Sequence, residues 1–216
     1  MTAADKSLTQ RLDEIRARAS AQSATVYDAL VKRLVDSGAM DGALKEGAVF
    51  PDFQLASAEG RLIRRSDVLA EGPAVVTFYR GAWCPYCSET LNALAEVTPQ
   101  IQAAGARVVA ITPEAGGRAL RTKFDRGFAF EILCDLDNVL AAECGLLFPV
   151  PDDLRRLYME NNNDFELVYG NGAWMLPAPA TYVVSRDGIV AKAYVNPDFR
   201  YRMGPPEIVA AVQALR

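Results

Sequence analysis

The sequence predicts an α/β fold, a central mixed sheet flanked by helices and preceded by a helical N-terminal extension. Three observations carry this. Apolar, β-branched runs alternate with helical patterns between residues 74 and 133, and strands that alternate with helices pair in parallel, with helices on both faces. The order then changes: residues 181–185 and 189–195 flank Arg186-Asp187-Gly188, an antiparallel hairpin. Residues 5–45, finally, show helical rather than strand spacing, which divides the chain into an extension (1–45) and a main domain (46–216).

Within the extension, Leu8, Leu12, Ile15 and Ala19 fall on one face, and Ser7 with Gln10 forms a capping-box pair. Val26, Tyr27, Leu30, Val31 and Leu34 make a second stripe that stops near Gly38. These stripes read either as packing against the main domain or as a homodimer contact. Pro51 to Leu55 alternates, and Ala58-Glu59-Gly60 turns it into Arg61-Leu62-Ile63, a β-hairpin. A strong strand covers 74–79. Leu91, Leu94, Val97 and Ile101 then recur at helical intervals up to Gly105. Residues 107–112 read as a strand, 117–125 as a helix and 128–133 as another strand. An insert over 135–178 carries a helical pattern at 152–158 and a polar loop at Asn161-Asn162-Asn163. Pro205 and Pro206 open a terminal helix bearing Ile208, Val209, Val212 and Leu215.

Composition narrows the chemistry. Half of the 216 residues are hydrophobic, enough for a sizeable core, and the net charge of −4 is interspersed without a basic stripe, against nucleic-acid binding. No apolar run approaches the ~18 residues of a membrane span. Residues 1–20 lack the apolar core of a signal peptide, so the expected location is cytoplasmic. There is no histidine, which removes Ser-His-Asp and Cys-His catalysis and His-containing metal sites. The four cysteines lack the paired spacing of a zinc site. Glu131, Asp135 and Asp137 read as strand-end solvation rather than a metal cluster.

That leaves one strong chemical signal, Arg80-Gly81-Ala82-Trp83-Cys84-Pro85-Tyr86-Cys87, where a strand runs into a helix. A thiolate, not a thiol, attacks disulfides and peroxides. A helix N-terminus favours the anion through its unpaired N–H groups and partial positive charge. Pro85 suits the first turn, placing Cys84 at the cap and Cys87 within reach of a disulfide. Arg80 adds positive charge, and Trp83 shields one side. Cys134 and Cys144 sit in apolar settings and read as core rather than as distant resolving cysteines.

The strand–helix order with Trp-Cys-Pro-Tyr-Cys resembles the thioredoxin fold, and Pro85-Tyr86 is similar to the middle pair of glutaredoxins. The resemblance implies a cis-proline facing the cysteine pair, matched in place by Pro179, two residues before Thr181-Tyr182. Residues 45–216 more closely resemble the peroxiredoxin-like branch of the alkyl hydroperoxide reductase and thiol-specific antioxidant family. The matching pieces are Pro51-Asp52-Phe53, Phe78 to Cys87, Ile111-Thr112-Pro113, residues 179–188, and Asn196-Pro197-Asp198-Phe199 before a late arginine. Laid on the family's Pro-x3-Thr-x2-Cys pattern, Arg80 replaces the proline, Cys84 replaces the threonine and Cys87 takes the peroxidatic position. A further family arginine falls at Pro179.

The resemblance implies a peroxidase: Cys87 attacks hydrogen peroxide or an organic hydroperoxide, Cys84 resolves it as a disulfide, and thioredoxin or a glutaredoxin system restores the dithiol. No cofactor beyond the cysteine pair is implied. The departures keep a second reading open, a thioredoxin-like disulfide oxidoreductase with a more exposed Cys84 as nucleophile. A third is a non-catalytic redox sensor or adaptor.

Overall fold

A computed structural model of the chain describes residues 6–215; residues 1–5, at the start of the predicted extension, and Arg216 lie outside the described residues. The extension folds as α1 (Leu8–Ala17) and α2 (Ala21–Asp36). The capping box forms as expected, with the Gln10 N–H donating to Ser7 Oγ at 3.3 Å and the Ser7 N–H to Gln10 Oε1 at 2.9 Å. A hairpin of β1 (Gln54–Ser57) and β2 (Leu62–Arg64) follows, then α3 (Arg65–Leu69) and β3 (Ala74–Phe78). Next come α4 (Pro85–Ala103), β4 (Arg107–Thr112), α5 (Arg118–Arg126) and β5 (Glu131–Cys134).

The expected strand at 128–133 starts late. Gly127 takes a left-handed conformation (φ 63°) and the Phe128 N–H still bonds the Lys123 carbonyl at 3.0 Å, so this stretch closes α5 before β5 begins. Phe128 and Phe130 are buried there, stacked 4.8 Å apart, which accounts for the apolar run without a longer strand.

The insert holds more than one helix. It contains α6 (Val139–Glu143), β6 (Leu147–Pro149), α7 (Asp152–Glu160), α8 (Phe165–Tyr169) and β7 (Met175–Pro177), with β6 and β7 paired as a separate antiparallel ribbon. β8 (Ala180–Val184), β9 (Val190–Val195) and α9 (Pro205–Gln213) complete the chain. Among the described residues the main sheet has the order β2-β1-β5-β4-β3-β8-β9, parallel across β3, β4 and β5 and antiparallel elsewhere. This is a thioredoxin-like mixed sheet. β3 and β8 are buried at every residue, as strands covered on both faces must be.

α1 packs on α4 and α2 on α7, burying Leu8, Leu12, Leu30 and Leu34 in the same core as the sheet. Each predicted stripe thus packs against the main domain through its buried leucines, while Ile15, Ala19, Val26, Tyr27 and Val31 stay half-buried. Asp135 does not solvate a strand end; it is buried and accepts from the Leu140 and Ala141 N–H groups at 3.2 and 2.9 Å, which fixes the start of α6. No described helix is long and apolar enough to cross a membrane.

Candidate active site

At the end of β3 the ladder extends one residue, Tyr79 N–H to Ile111 C=O at 2.9 Å, and then delivers Arg80 into the interior, 1% exposed. Gly81 follows at φ 151°. A Cβ there would sit 2.6 Å from Trp83 Nε1 and 2.8 Å from Glu114 Oε1, so only glycine lets the chain turn at this point. Cys84 is the N-cap of α4 with extended backbone (φ −89°, ψ 112°), and Pro85 occupies the first helical position. The Cys84 carbonyl already accepts from the Ser88 N–H at 3.0 Å. Pro85 at this position loses no helical bond.

Both sulfurs are buried, Cys84 at 2% and Cys87 at 1% exposure. This corrects the expectation that Cys84 is the more exposed thiol. The charges around the two differ. Burial raises the affinity of both for a proton, but at Cys87 it is overcome by a hydrogen bond from the Cys84 thiol, by the Arg202 and Arg80 guanidinium groups, and by the Arg80 main-chain N–H. Cys87 is therefore held well below the ordinary thiol range. Cys84 is pushed up by its burial and by its role as donor to Cys87, against the pull of Arg80. Arg80 Nη2 lies 3.5 Å from Cys84 Sγ, and Arg202 Nη2 lies 3.9 Å from Cys87 Sγ. Of the two sulfurs, Cys87 is thus the one whose surroundings favour the thiolate.

The insert closes the site. Tyr158, on α7, accepts from Arg80 Nη1 at 3.1 Å. Tyr169, on α8, donates to the Arg80 carbonyl at 2.8 Å and accepts from Trp83 Nε1 at 3.0 Å. Trp83 also packs edge-on to Tyr158, with ring centroids 5.0 Å apart. From the loop before α9, Phe199 lays its ring 4.0 Å from the Arg80 guanidinium carbon and meets Tyr86 edge-on at 5.5 Å. A groove of about 540 Å³ borders this junction, walled by Ile15 and Tyr27 of the extension and by Trp83, Pro85, Tyr86 and Tyr158.

Of the residues singled out from sequence, Arg80, Trp83, Cys84, Pro85, Tyr86 and Cys87 converge here. Pro179 is buried one residue before β8, whose Ala180 pairs with Phe78, so it lies at the same end of the sheet. Its peptide bond is trans, since no cis bond occurs among the described residues, and the implied cis-proline is absent. Thr181 is set back along the seam between β3 and β8, its hydroxyl 3.1 Å from that of Thr77. Cys144 is fully buried and pushed up to about 12 by burial, with Asp135 and Glu143 adding to it; Cys134 is half-buried and raised mainly by burial. None of the four cysteines is paired in a disulfide.

Sequence reasoning missed Glu114, Tyr158, Tyr169 and Arg202, and it quoted Phe199 only as part of a family match, without a place in the site. Glu114 follows the recognised Ile111-Thr112-Pro113 and is 3% exposed. One oxygen accepts from the Ala82 N–H at 3.1 Å and the other has no partner. Burial raises this carboxyl to about 7 against the Ala82 hydrogen bond. Arg202 lies in the late arginine run that the family comparison touched. Only the three-dimensional path of that loop shows which arginine reaches sulfur.

A thioredoxin-like sheet that feeds a buried Cys-x-x-Cys into a helix N-terminus, with a cation beside each sulfur, defines a thiol-dependent oxidoreductase. A model of the AhpC/TSA family matches residues 47–193. The chain is 27% identical over 181 residues to a chloroplastic peroxiredoxin Q of Triticum aestivum, covering 83% of this chain and 72% of that one. It is 27% identical over 155 residues to the peroxiredoxin Q of Oryza sativa subsp. japonica, covering 72% of this chain and 61% of that one. Among solved structures, peroxidoxin BcpB from Mycobacterium tuberculosis shares the fold with a TM-score of 0.63 at 20% identity, over 80% of this chain and 99% of that one. The chain belongs to the AhpC/TSA family. It is an oxidoreductase of the peroxiredoxin-like, peroxide-reducing kind.

Proposed function

We propose that Cys87 is the attacking sulfur of a peroxidase cycle and that Cys84 resolves it. The Cys87 thiolate attacks the terminal oxygen of a hydroperoxide, breaking the O–O bond to give a sulfenic acid and an alkoxide that takes a proton and leaves as alcohol. The Cys84 thiol then displaces water from the sulfenic sulfur, forming the disulfide. In sum the dithiol and ROOH become the disulfide, ROH and water. Hydrogen peroxide and organic hydroperoxides are the substrates. A thioredoxin- or glutaredoxin-type dithiol returns the two electrons, and the cycle needs no other cofactor. We place it in the cytoplasm, where such reductants keep thiols reduced; the plant relatives named above are chloroplastic, and fractionation of cells decides this point.

The observation that carries this reading is the placement of cations at the two sulfurs, Arg202 Nη2 3.9 Å from Cys87 Sγ and Arg80 Nη2 3.5 Å from Cys84 Sγ, a setting that lowers the proton affinity of Cys87 while burial raises that of Cys84. The low exposure of both sulfurs favours a small peroxide over a protein disulfide as the first oxidant. The test is peroxide consumption by the wild type and by Cys84→Ser and Cys87→Ser variants with a thioredoxin system. Cys87→Ser should lose activity altogether. Cys84→Ser should consume about one equivalent and stop as a sulfenic acid that dimedone labels. Labelling of Cys84 in the Cys87→Ser variant instead would reverse the assignment.

A further inference from the structure

Arg80 carries its charge at every accessible pH, yet its exposure is only 1%. Its Nη1 donates to a neutral phenol, Tyr158, and its flat face rests on Phe199. Its Nε has no acceptor. Among the described residues no carboxylate oxygen lies within 4.0 Å of the guanidinium, whereas Arg200, in the same part of the fold, is held by both Asp198 and Asp28. Phenol and ring soften the loss of water, but neither carries a full negative charge. The anion available to Arg80 is the cysteine pair: Arg80 Nη2 lies 3.5 Å from Cys84 Sγ, and its charge also favours the thiolate of Cys87.

Oxidation removes that anion. In the cycle proposed above the reduced pair reacts as one thiolate and one thiol; forming the disulfide from these withdraws two electrons and one proton and leaves the buried guanidinium without its counter-charge. A buried charge deprived of its partner is strongly destabilising. A site whose reduced form is the stabilised one makes an oxidising disulfide.

We propose that Arg80 is the counter-charge of the reduced cysteine pair and thereby makes the Cys84–Cys87 disulfide a strong oxidant, one that takes electrons from simple monothiols as well as from dithiol proteins. In each transfer a substrate thiolate attacks one sulfur and a second thiol cleaves the mixed disulfide. Two R–SH become R–S–S–R as the pair regains its electrons, and peroxide then re-forms the disulfide with release of alcohol and water. The chain so carries oxidising equivalents from peroxide to thiols. This rests on the dithiol–disulfide reading above and adds the direction in which the couple is poised.

The full-length protein, oxidised with one equivalent of hydrogen peroxide, is equilibrated against glutathione redox buffers beside Arg80→Met and Arg80→Lys. Methionine should shift the equilibrium toward the disulfide by at least tenfold, about 30 mV for a two-electron couple; lysine, which keeps the charge, should stay nearer the wild type. Thermal unfolding of the wild type in its two redox states is a readout that needs no variant, and the oxidised form should melt below the reduced one. A shift under tenfold in Arg80→Met, or an oxidised form that melts at or above the reduced one, overturns the inference while leaving the peroxidase cycle intact. If peroxide forms no disulfide between Cys84 and Cys87, the dithiol reading itself fails and takes the inference with it.

Discussion

Glu114 shows how one buried group ties stability to pH. Its carboxyl is raised to about 7 because burial disfavours the anion more than the single Ala82 N–H favours it. The folded state therefore binds a proton more tightly than the unfolded chain, and stability falls as pH rises from the ordinary carboxylate range through about 7. The full effect is on the order of 3 kcal/mol above pH 7. Glu114→Gln keeps an acceptor for Ala82 and cannot ionise. It should be more stable than the wild type at pH 8 and match it near pH 4, as read by urea unfolding at both values. An equal change at both pH values would mean that ionisation of Glu114 is not the cause.

At the scale of elements, the strand–helix junction was legible in the sequence and its roof was not. A β-branched run, a glycine and Cys-Pro-Tyr-Cys are local signals, and local geometry follows from them: Cys84 caps α4 and Pro85 opens it. Tyr158 and Tyr169 reach Arg80 and Trp83 across 78 and 86 residues of chain. Nothing in the periodicity of a short helix says which distant backbone carbonyl its tyrosine will meet, so the insert read as a helix and a loop. Tyr169→Phe tests its role as a roof. It removes one hydroxyl that serves both the Arg80 carbonyl and Trp83 Nε1, and leaving such buried groups unpaired costs about 1–3 kcal/mol. The expected outcome is a loss of stability in that range in denaturant unfolding, with a shifted Trp83 emission maximum. Unchanged emission and stability would show that water replaces the hydroxyl at no cost.

Across the whole molecule, the extension and the loop before α9 meet over the cysteines. Asp28 of α2 accepts from Arg200 Nη1 at 2.6 Å, and Arg200 also donates to Asp198 through its main chain, Nε and Nη2. That clamp fixes the loop that sets Phe199 on Arg80 and brings Arg202 to Cys87. The helical stripes of the extension were plain in the sequence, but a contact between residues 28 and 200 has no sequence signature, so what the extension does for the site stayed hidden. Arg200 and Asp198 side chains are 7% and 14% exposed, whereas that of Asp28 is 60% exposed. Removing Arg200 strands a largely buried carboxylate that its hydrogen bonds hold below the usual range in spite of burial. Arg200→Ala should therefore cost about 3 kcal/mol, and Asp28→Asn, at the wet end of the clamp, no more than ~1 kcal/mol. Loosening the loop also withdraws Arg202 from Cys87, so less of that sulfur is ionised. In a Cys84→Ser background, alkylation of Cys87 should be slower at pH 6 in Arg200→Ala than in its parent and converge with it near pH 9, where an ordinary thiol ionises unaided. An alkylation profile identical to the parent's, at whatever stability, would show that the clamp holds the fold together but does not set the charge on sulfur.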